Sequence, residues 1–188
     1  MLLVEKKVNY NSTKQGSPMN KSELRTVMRN ILVDKTCLIA QQNKLLQKLI
    51  NEISIKRPNC VGLFSPLPNE ISLNSIFTKK IMFSYPKIWG STLKFHEVKN
   101  LRELSPSQPY GIYEPSSEAK FVVPDIIIVP GLAFTIDGTR LGRGKGYYDN
   151  YLRQNSCFTV SLAFSWQLLE KIPHNSFDVP INLILTTK

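Results

Sequence analysis

The run DIIIVPGLAF, Asp125 to Phe134, constrains the fold of this chain more than any other segment. Three isoleucines and a valine in succession leave no polar face, so a strand built from them must be covered on both sides. That is the situation of a central strand in a parallel sheet. Shorter apolar runs predict further strands at Cys60 to Pro66, Lys80 to Ile88, Ser91 to Val98, Phe158 to Phe164 and Leu183 to Thr187. Helical spacing fills the gaps. Leu24, Val27, Met28, Ile31 and Leu32 recur three and four apart, and Leu38, Leu45, Leu46, Leu49 and Ile53 follow less regularly. This spacing gathers apolar side chains on one helix face. Two helices are expected between Lys21 and Ile55, with a break between Val33 and Thr36 and Ser22 as the first N-cap. Ile71 to Lys79 reads as another helix, Ser105 to Ser117 as a loop, and a last helix begins near Tyr147. Strands alternating with helices predict an α/β layered domain with a mainly parallel sheet.

A chain of 188 residues fits one domain and can bury a core without disulfides or metals. Residues 1–18 read as a flexible extension without periodicity, and 19–188 as the domain. The extension lacks the basic, apolar and small-residue succession of a secretion signal, and no apolar run approaches the roughly 20 residues of a membrane span. A cytoplasmic protein without a membrane partner is expected. Cys37, Cys60 and Cys157 are odd in number and form no CxxC pair, so reduced thiols are expected. The net charge is +10, and +6 of it falls in the first 50 residues. Such charge suits nucleic acid or anionic small molecules. No nucleic-acid-binding motif accompanies it, so small anions are the expected partners.

The chemistry concentrates in PGLAFTIDGTRLGRGKGYYDNYL, which follows the central strand. Gly138, Gly142, Gly144 and Gly146 are interleaved with Arg140, Arg143 and Lys145, and Tyr147, Tyr148 and Asp149 open a helix. Glycines let backbone N–H groups approach phosphate oxygens, a helix start adds unsatisfied donors, and the cations add charge-assisted hydrogen bonds. Asp149 offers the hard oxygen that magnesium prefers. The pattern is neither a GxxxxGK[ST] loop nor a GxGxxG fingerprint, since Tyr148 stands at the third glycine. By itself such a segment is also compatible with a basic turn.

RLGRGKGYYD, preceded by PGLAF and a glycine, resembles the signature of 5-formyltetrahydrofolate cyclo-ligases, also called methenyltetrahydrofolate synthetases. KSELR, FSPLPNEI, YGIYEP, LAFSWQ and DVPINLILT resemble further segments of that family, so the likeness runs over about residues 20–188. The resemblance implies a Rossmann-like three-layer sandwich. It implies conversion of 5-formyltetrahydrofolate to 5,10-methenyltetrahydrofolate with cleavage of ATP to ADP and phosphate. The formyl oxygen attacks the γ-phosphate, nitrogen 10 closes the ring, and phosphate leaves. It also implies roles. Lys21, Arg25, Arg140, Leu141, Gly142, Arg143, Gly144, Lys145, Gly146, Tyr147 and Tyr148 would bind ATP, with Arg143 and Lys145 stabilising the transferring phosphoryl group. Ser65, Glu70, Tyr110 and Tyr148 would meet the folate. Asp149 and Asn182 would hold Mg2+.

Two departures matter. Thr135 stands where many members carry Asp, and Asn182 where they commonly place a second magnesium-linked Asp, with Asp178 as a candidate substitute. Asn182 keeps a second reading open, a catalytically weak relative that binds folate or nucleotide as a regulator. The charge keeps a third open, a nucleic-acid-binding accessory protein. Tyr147 and Tyr148 cannot both face one way on a helix, so one is expected in the core. A monomer is expected, and the basic surface suits substrates with polyglutamate tails.

Overall fold

The computed structural model describes residues 19–31, 35–67, 70–78, 80–108 and 111–187. The expected N-terminal extension and Tyr110 lie outside them.

Helix α1 spans Lys21–Arg29 and α2 spans Lys35–Lys56. Asn20 caps α1, not Ser22. Its side-chain oxygen accepts from the Ser22 and Glu23 N–H groups at 2.8 and 3.1 Å, and the Glu23 carboxylate accepts the Asn20 N–H at 2.9 Å. This reciprocal box satisfies donors that a helix start otherwise leaves bare. The helix ends earlier than expected, because Asn30 closes it with an N–H bond to the Val27 carbonyl at 3.1 Å.

The strands are β1 (Cys60–Gly62), β2 (Met82–Trp89), β3 (Thr92–Val98), β4 (Ser105–Ser107), β5 (Ile112–Glu114), β6 (Ile126–Ile128), β7 (Ala133–Phe134), β8 (Arg140–Leu141), β9 (Phe158–Ala163) and β10 (Leu183–Thr186). Six of them form the main sheet in the order β10-β9-β6-β1-β2-β3, parallel throughout except for the β2–β3 hairpin. The isoleucine run sits in the middle, as its composition demanded. Ile126 and Ile128 face the α2 side, where Leu45, Leu49 and Ile53 cover them. Ile127 and Val129 face the other side, with Phe95 and Tyr151, the latter from α3 (Tyr147–Leu152). Two helical layers thus sandwich one sheet.

Two expectations fail. Of the expected helix Ile71 to Lys79, the described residues 71–78 form no α-helix but an irregular segment with one 3-10 turn, Asn74–Ile76. Ile71, Leu73 and Ile76 are buried there as separate anchors, which imitated helical spacing. Ser105 to Ser117 is not plain loop, since β4 and β5 pair as a small antiparallel ribbon.

The topology fixes where a ligand can sit. From β1 the chain moves to its neighbour β2 on one side, whereas from β6 it moves to β9 on the other. The crevice beyond the carboxyl ends of β1 and β6 is therefore a switch point, where open α/β sheets take their ligands.

Candidate active site

A cleft of about 750 Å³ opens at that switch point. Phe64 and Ser65 enter it from the end of β1, Pro130 from the end of β6, and residues 142–150 from the glycine-rich loop and α3. Helix α1 closes one wall with Lys21, Arg25 and Arg29.

The cationic half is built from matched pairs. Arg140, 5% exposed at its side chain, donates Nη2–H to Asp149 Oδ2 at 2.9 Å and Nη1–H to the Pro130 carbonyl at 3.3 Å. Asp149 Oδ1 accepts the Val179 N–H at 3.2 Å. Lys21 pairs with Asp178. Burial alone would raise the Asp178 pKa, but the Lys21 bond, the Asn175 N–H and the charges of Lys21 and Arg140 outweigh it and hold the carboxyl below its ordinary value. Arg143 donates two N–H groups to Glu70 Oε1, at 2.9 and 2.6 Å.

The glycine loop itself is held by α1. Arg25 Nε–H donates to the Gly142 carbonyl at 2.8 Å, and Arg29 to the Arg143 carbonyl at 3.2 Å. Between them Gly144 takes φ +106° with the Arg25 guanidinium alongside, a conformation and a clearance that favour glycine. Lys145 is exposed, lines the cleft, and carries no ion pair among the described residues. Gly146 is the N-cap of α3, which at six residues contributes only a short dipole.

The other half is apolar. Phe64, Leu67, Ile88, Leu93 and Ile112 line it. Tyr148 borders both halves, with the Arg140 guanidinium 5.8 Å from its ring centre. Burial, reinforced by the Glu70 charge and opposed by Arg140, pushes its phenol well up, so it stays a neutral donor. Ser65 accepts the Tyr113 N–H at 3.0 Å and so pins the β4–β5 ribbon to the end of β1.

Most of the expected residues among those described thus meet in one place, with two exceptions. Leu141 is fully buried against Leu24 and Met28, because its β8 position points it into the α1 packing. Asn182 lies at the opposite end of the sheet. Its side-chain oxygen accepts from the Thr159 N–H and hydroxyl, both at 2.8 Å, which ties the starts of β9 and β10 together. Neither residue lines the cleft. Tyr147 and Tyr148 both line it, and the tyrosine of α3 that enters the core is Tyr151. Thr135 belongs to the β7–β8 turn, where its hydroxyl bonds Asp137.

Sequence reasoning missed Arg29, Glu114 and, except as a substitute, Asp178. Arg29 was readable, since Lys21, Arg25 and Arg29 fall four apart on one helix face. Glu114 and Asp178 reach the cleft only through tertiary placement of their segments. Asp149 and Asp178 both line the cleft and are the residues that could hold a magnesium ion. Two carboxylates with lone pairs to spare are what it takes when phosphates and water supply the remaining oxygens.

A glycine- and cation-lined switch point beside an apolar slot defines an α/β protein built to bring a phosphate-bearing ligand against a flat, less polar one. Residues 13–187 match the 5-formyltetrahydrofolate cyclo-ligase family, and the chain belongs to it. The family uses ATP as a co-substrate. The chain is 31% identical to the 5-formyltetrahydrofolate cyclo-ligase of Haemophilus influenzae, over 88% of this chain and 96% of that protein. It is 28% identical to the mouse (Mus musculus) enzyme of the same name, over 95% of both. The solved Aquifex aeolicus 5,10-methenyltetrahydrofolate synthetase superposes with a TM-score of 0.79 at 31% identity, covering 89% of this chain and 90% of that one.

Proposed function

We propose that this chain is an ATP-dependent ligase that converts 5-formyltetrahydrofolate, with or without a polyglutamate tail, to 5,10-methenyltetrahydrofolate, releasing ADP and phosphate. The observation that carries this reading is the joining of a cationic glycine loop and an apolar slot in one cleft. The family and the relatives supply the reaction.

The geometry suits the chemistry. A formyl oxygen is a weak nucleophile and oxide a poor leaving group, so phosphorylation must activate the carbon. Phosphoryl transfer needs positioning and charge neutralisation rather than a covalent nucleophile. Lys145 and Arg143, on the loop, hold the γ-phosphate and compensate charge that develops on its oxygens. Arg25, through its terminal nitrogens, and Lys21 take the remaining phosphates, while Arg25 Nε and Arg29 hold the Gly142 and Arg143 carbonyls of the loop. The folate lies in the apolar half, against Tyr148 and Ile112 of β5. The formyl oxygen bonds to the γ-phosphorus as ADP departs. Nitrogen 10 then adds to the activated carbon and gives up its proton, and the carbon–oxygen bond breaks to release phosphate, which carries that proton away. Asp149 and Asp178 are the residues that would hold Mg2+, which when bound neutralises phosphate charge. Arg140 fixes the Asp149 carboxylate.

The regulator reading loses its motive, because it rested on Asn182 as a metal ligand and Asn182 is engaged with Thr159 away from the cleft. Among the described residues no helix is long and apolar enough to cross a membrane. Cys37, Cys60 and Cys157 form no disulfide among the described residues, which suits a reducing cytoplasm, and a cleft lined by one chain suits a monomer.

The test is purified protein with 5-formyltetrahydrofolate, ATP and magnesium, following methenyltetrahydrofolate absorbance. Turnover should require all three and fall by about 10²-fold or more in Lys145→Ala. Full turnover in that variant, or none in the wild type, would overturn the assignment.

A further inference from the structure

The two carboxylates at the nucleotide end of the cleft come from separate pieces of chain. Asp149 rides on α3, and Asp178 on an irregular turn, residues 173–178. A helix of six residues and a turn without a ladder do not by themselves fix the spacing of two side chains. Something must tie them together.

Arg153 makes that tie. It is the C-cap of α3, and its Nη1–H donates to the Phe177 carbonyl at 3.4 Å, one residue before Asp178. Its guanidinium lies 5.4 Å from the centre of the Phe177 ring. That ring is 67% exposed, so the core does not hold it, and the stacked cation does. Arg153 Nη2–H donates to Asn150 Oδ1, and Asn150 Nδ2–H donates to the Ser91 carbonyl at 2.6 Å. Bonds therefore run from the β2–β3 turn through α3 to the turn that carries Asp178. Asp149 also reaches this turn, since its Oδ1 accepts the Val179 N–H at 3.2 Å. That bond occupies a lone pair that a metal ion would take, whereas the bonds of Arg153 occupy none.

We infer that Arg153, buttressed by Asn150, is a positioning residue that holds Asp178 near enough to Asp149 for both to serve one magnesium ion. The inference rests on the metal reading above. Arg153 keeps the helix and the turn together while both carboxylates are given over to the cation. A guanidinium suits the task, because its planar fork bonds two acceptors while its face stacks on a ring, and an ammonium does neither.

A cation that lines the cleft also attracts phosphate by its charge and offers a surface to a nucleotide base. One measurement separates these roles. ADP affinity is read by calorimetry with and without Mg2+ in wild type, Arg153→Met, Arg153→Lys and Phe177→Ala, and the quantity compared is the ratio of the two affinities. Residues bonded to metal ligands typically change metal affinity about 10- to 100-fold, and Arg153 acts one residue further off. In Arg153→Met the ratio should therefore fall about 3- to 10-fold, with metal-free affinity within about 2-fold of wild type and Tm within about 2 °C. Arg153→Lys should stay closer to Arg153→Met than to wild type. Phe177→Ala keeps the carbonyl but loses the ring, so its ratio should fall less. An unchanged ratio in Arg153→Met would overturn the inference. So would an equal loss with and without metal, which assigns Arg153 to the nucleotide itself, or a loss confined to the metal-free ligand or restored in full by Arg153→Lys, which assigns it to charge. If Arg153→Met does not fold, Phe177→Ala decides by the same ratio. A wild type whose ADP affinity ignores Mg2+ overturns the metal pair and this inference together and leaves the ligase reading standing, whereas a wild type that binds no ADP sinks the proposed function.

Discussion

Replacing Asp149 by Asn should destabilise the protein as well as weaken the proposed metal–nucleotide binding. Arg140 is one of the few cations in the interior, its side chain is 5% exposed, and its Nε finds no partner. Its charge is balanced through the Nη2 bond to Asp149, which is itself 19% exposed. Removing one member of a buried pair typically costs about 3–5 kcal/mol because the other is left uncompensated. The partial exposure of Asp149 lets water solvate the vacancy, so the lower end, about 2–3 kcal/mol, is expected. For a domain of this size that is a fall in Tm of roughly 5–10 °C. Arg140→Met alone leaves Asp149 at the wetter end of the pair and should cost less. The double variant Arg140→Met with Asp149→Asn should recover much of the loss, with a coupling of about 1.5–3 kcal/mol. Thermal and urea unfolding of the four proteins, without ligand, give the cycle. A Tm for Asp149→Asn within about 2 °C of wild type, or strictly additive singles, would refute the account of Arg140 as a buried charge held by one carboxylate.

Three further outcomes are expected. Gly138 has φ +94°, and a Cβ there would overlap the Ile181 carbonyl oxygen, so Gly138→Ala should lower Tm by about 8–15 °C, and an unchanged Tm would contradict it. The Asp178 pKa is depressed, so its pairing with Lys21 stabilises the fold above the ordinary carboxylate pKa of about 3.9 and is lost as pH falls through the lowered value. Urea midpoints of wild type and Asp178→Asn should therefore differ by a constant amount above about pH 5 and converge between roughly pH 4 and pH 2; a gap that persists at the acid end would count against the pair. Burial pushes the Cys157 thiol up to about 11, so at about pH 9 iodoacetamide should label it roughly 50-fold more slowly than an unstructured peptide thiol, and equal rates would refute the burial.

Much of this was legible in the sequence, because some signals are local. The isoleucine run could only be a strand covered on both faces, and it stands at the middle of the sheet. The glycines and cations of residues 138–146 were legible as a loop because their spacing is itself the loop, and residues 142–146 line the cleft. What was not legible depended on long-range placement. Ile71, Leu73 and Ile76 are buried as separate anchors along an irregular segment, which no periodicity distinguishes from one helix face. Asp178 and Asn182 are four residues apart, yet one ends in the cleft beside Lys21 and the other at the far end of the sheet beside Thr159. Only the course of the chain between Asp178 and β10 separates them. Glu114 is buried by a ribbon that itself looked like loop.

The paired charges of the cleft make ligand entry an exchange reaction. Lys21 and Arg143 each already hold a carboxylate, so a phosphate that they bind as proposed must share or displace an anion the protein supplied. Such a site is stable when empty, and it selects for ligands whose charge density exceeds that of a carboxylate. Lys145 stands outside this arrangement, exposed and without an ion pair among the described residues. Capture and retention then fall to different residues. On the proposed function, Lys145 would govern how fast nucleotide is collected and how strongly salt slows that collection, and Lys21 and Arg143 would govern how long it stays.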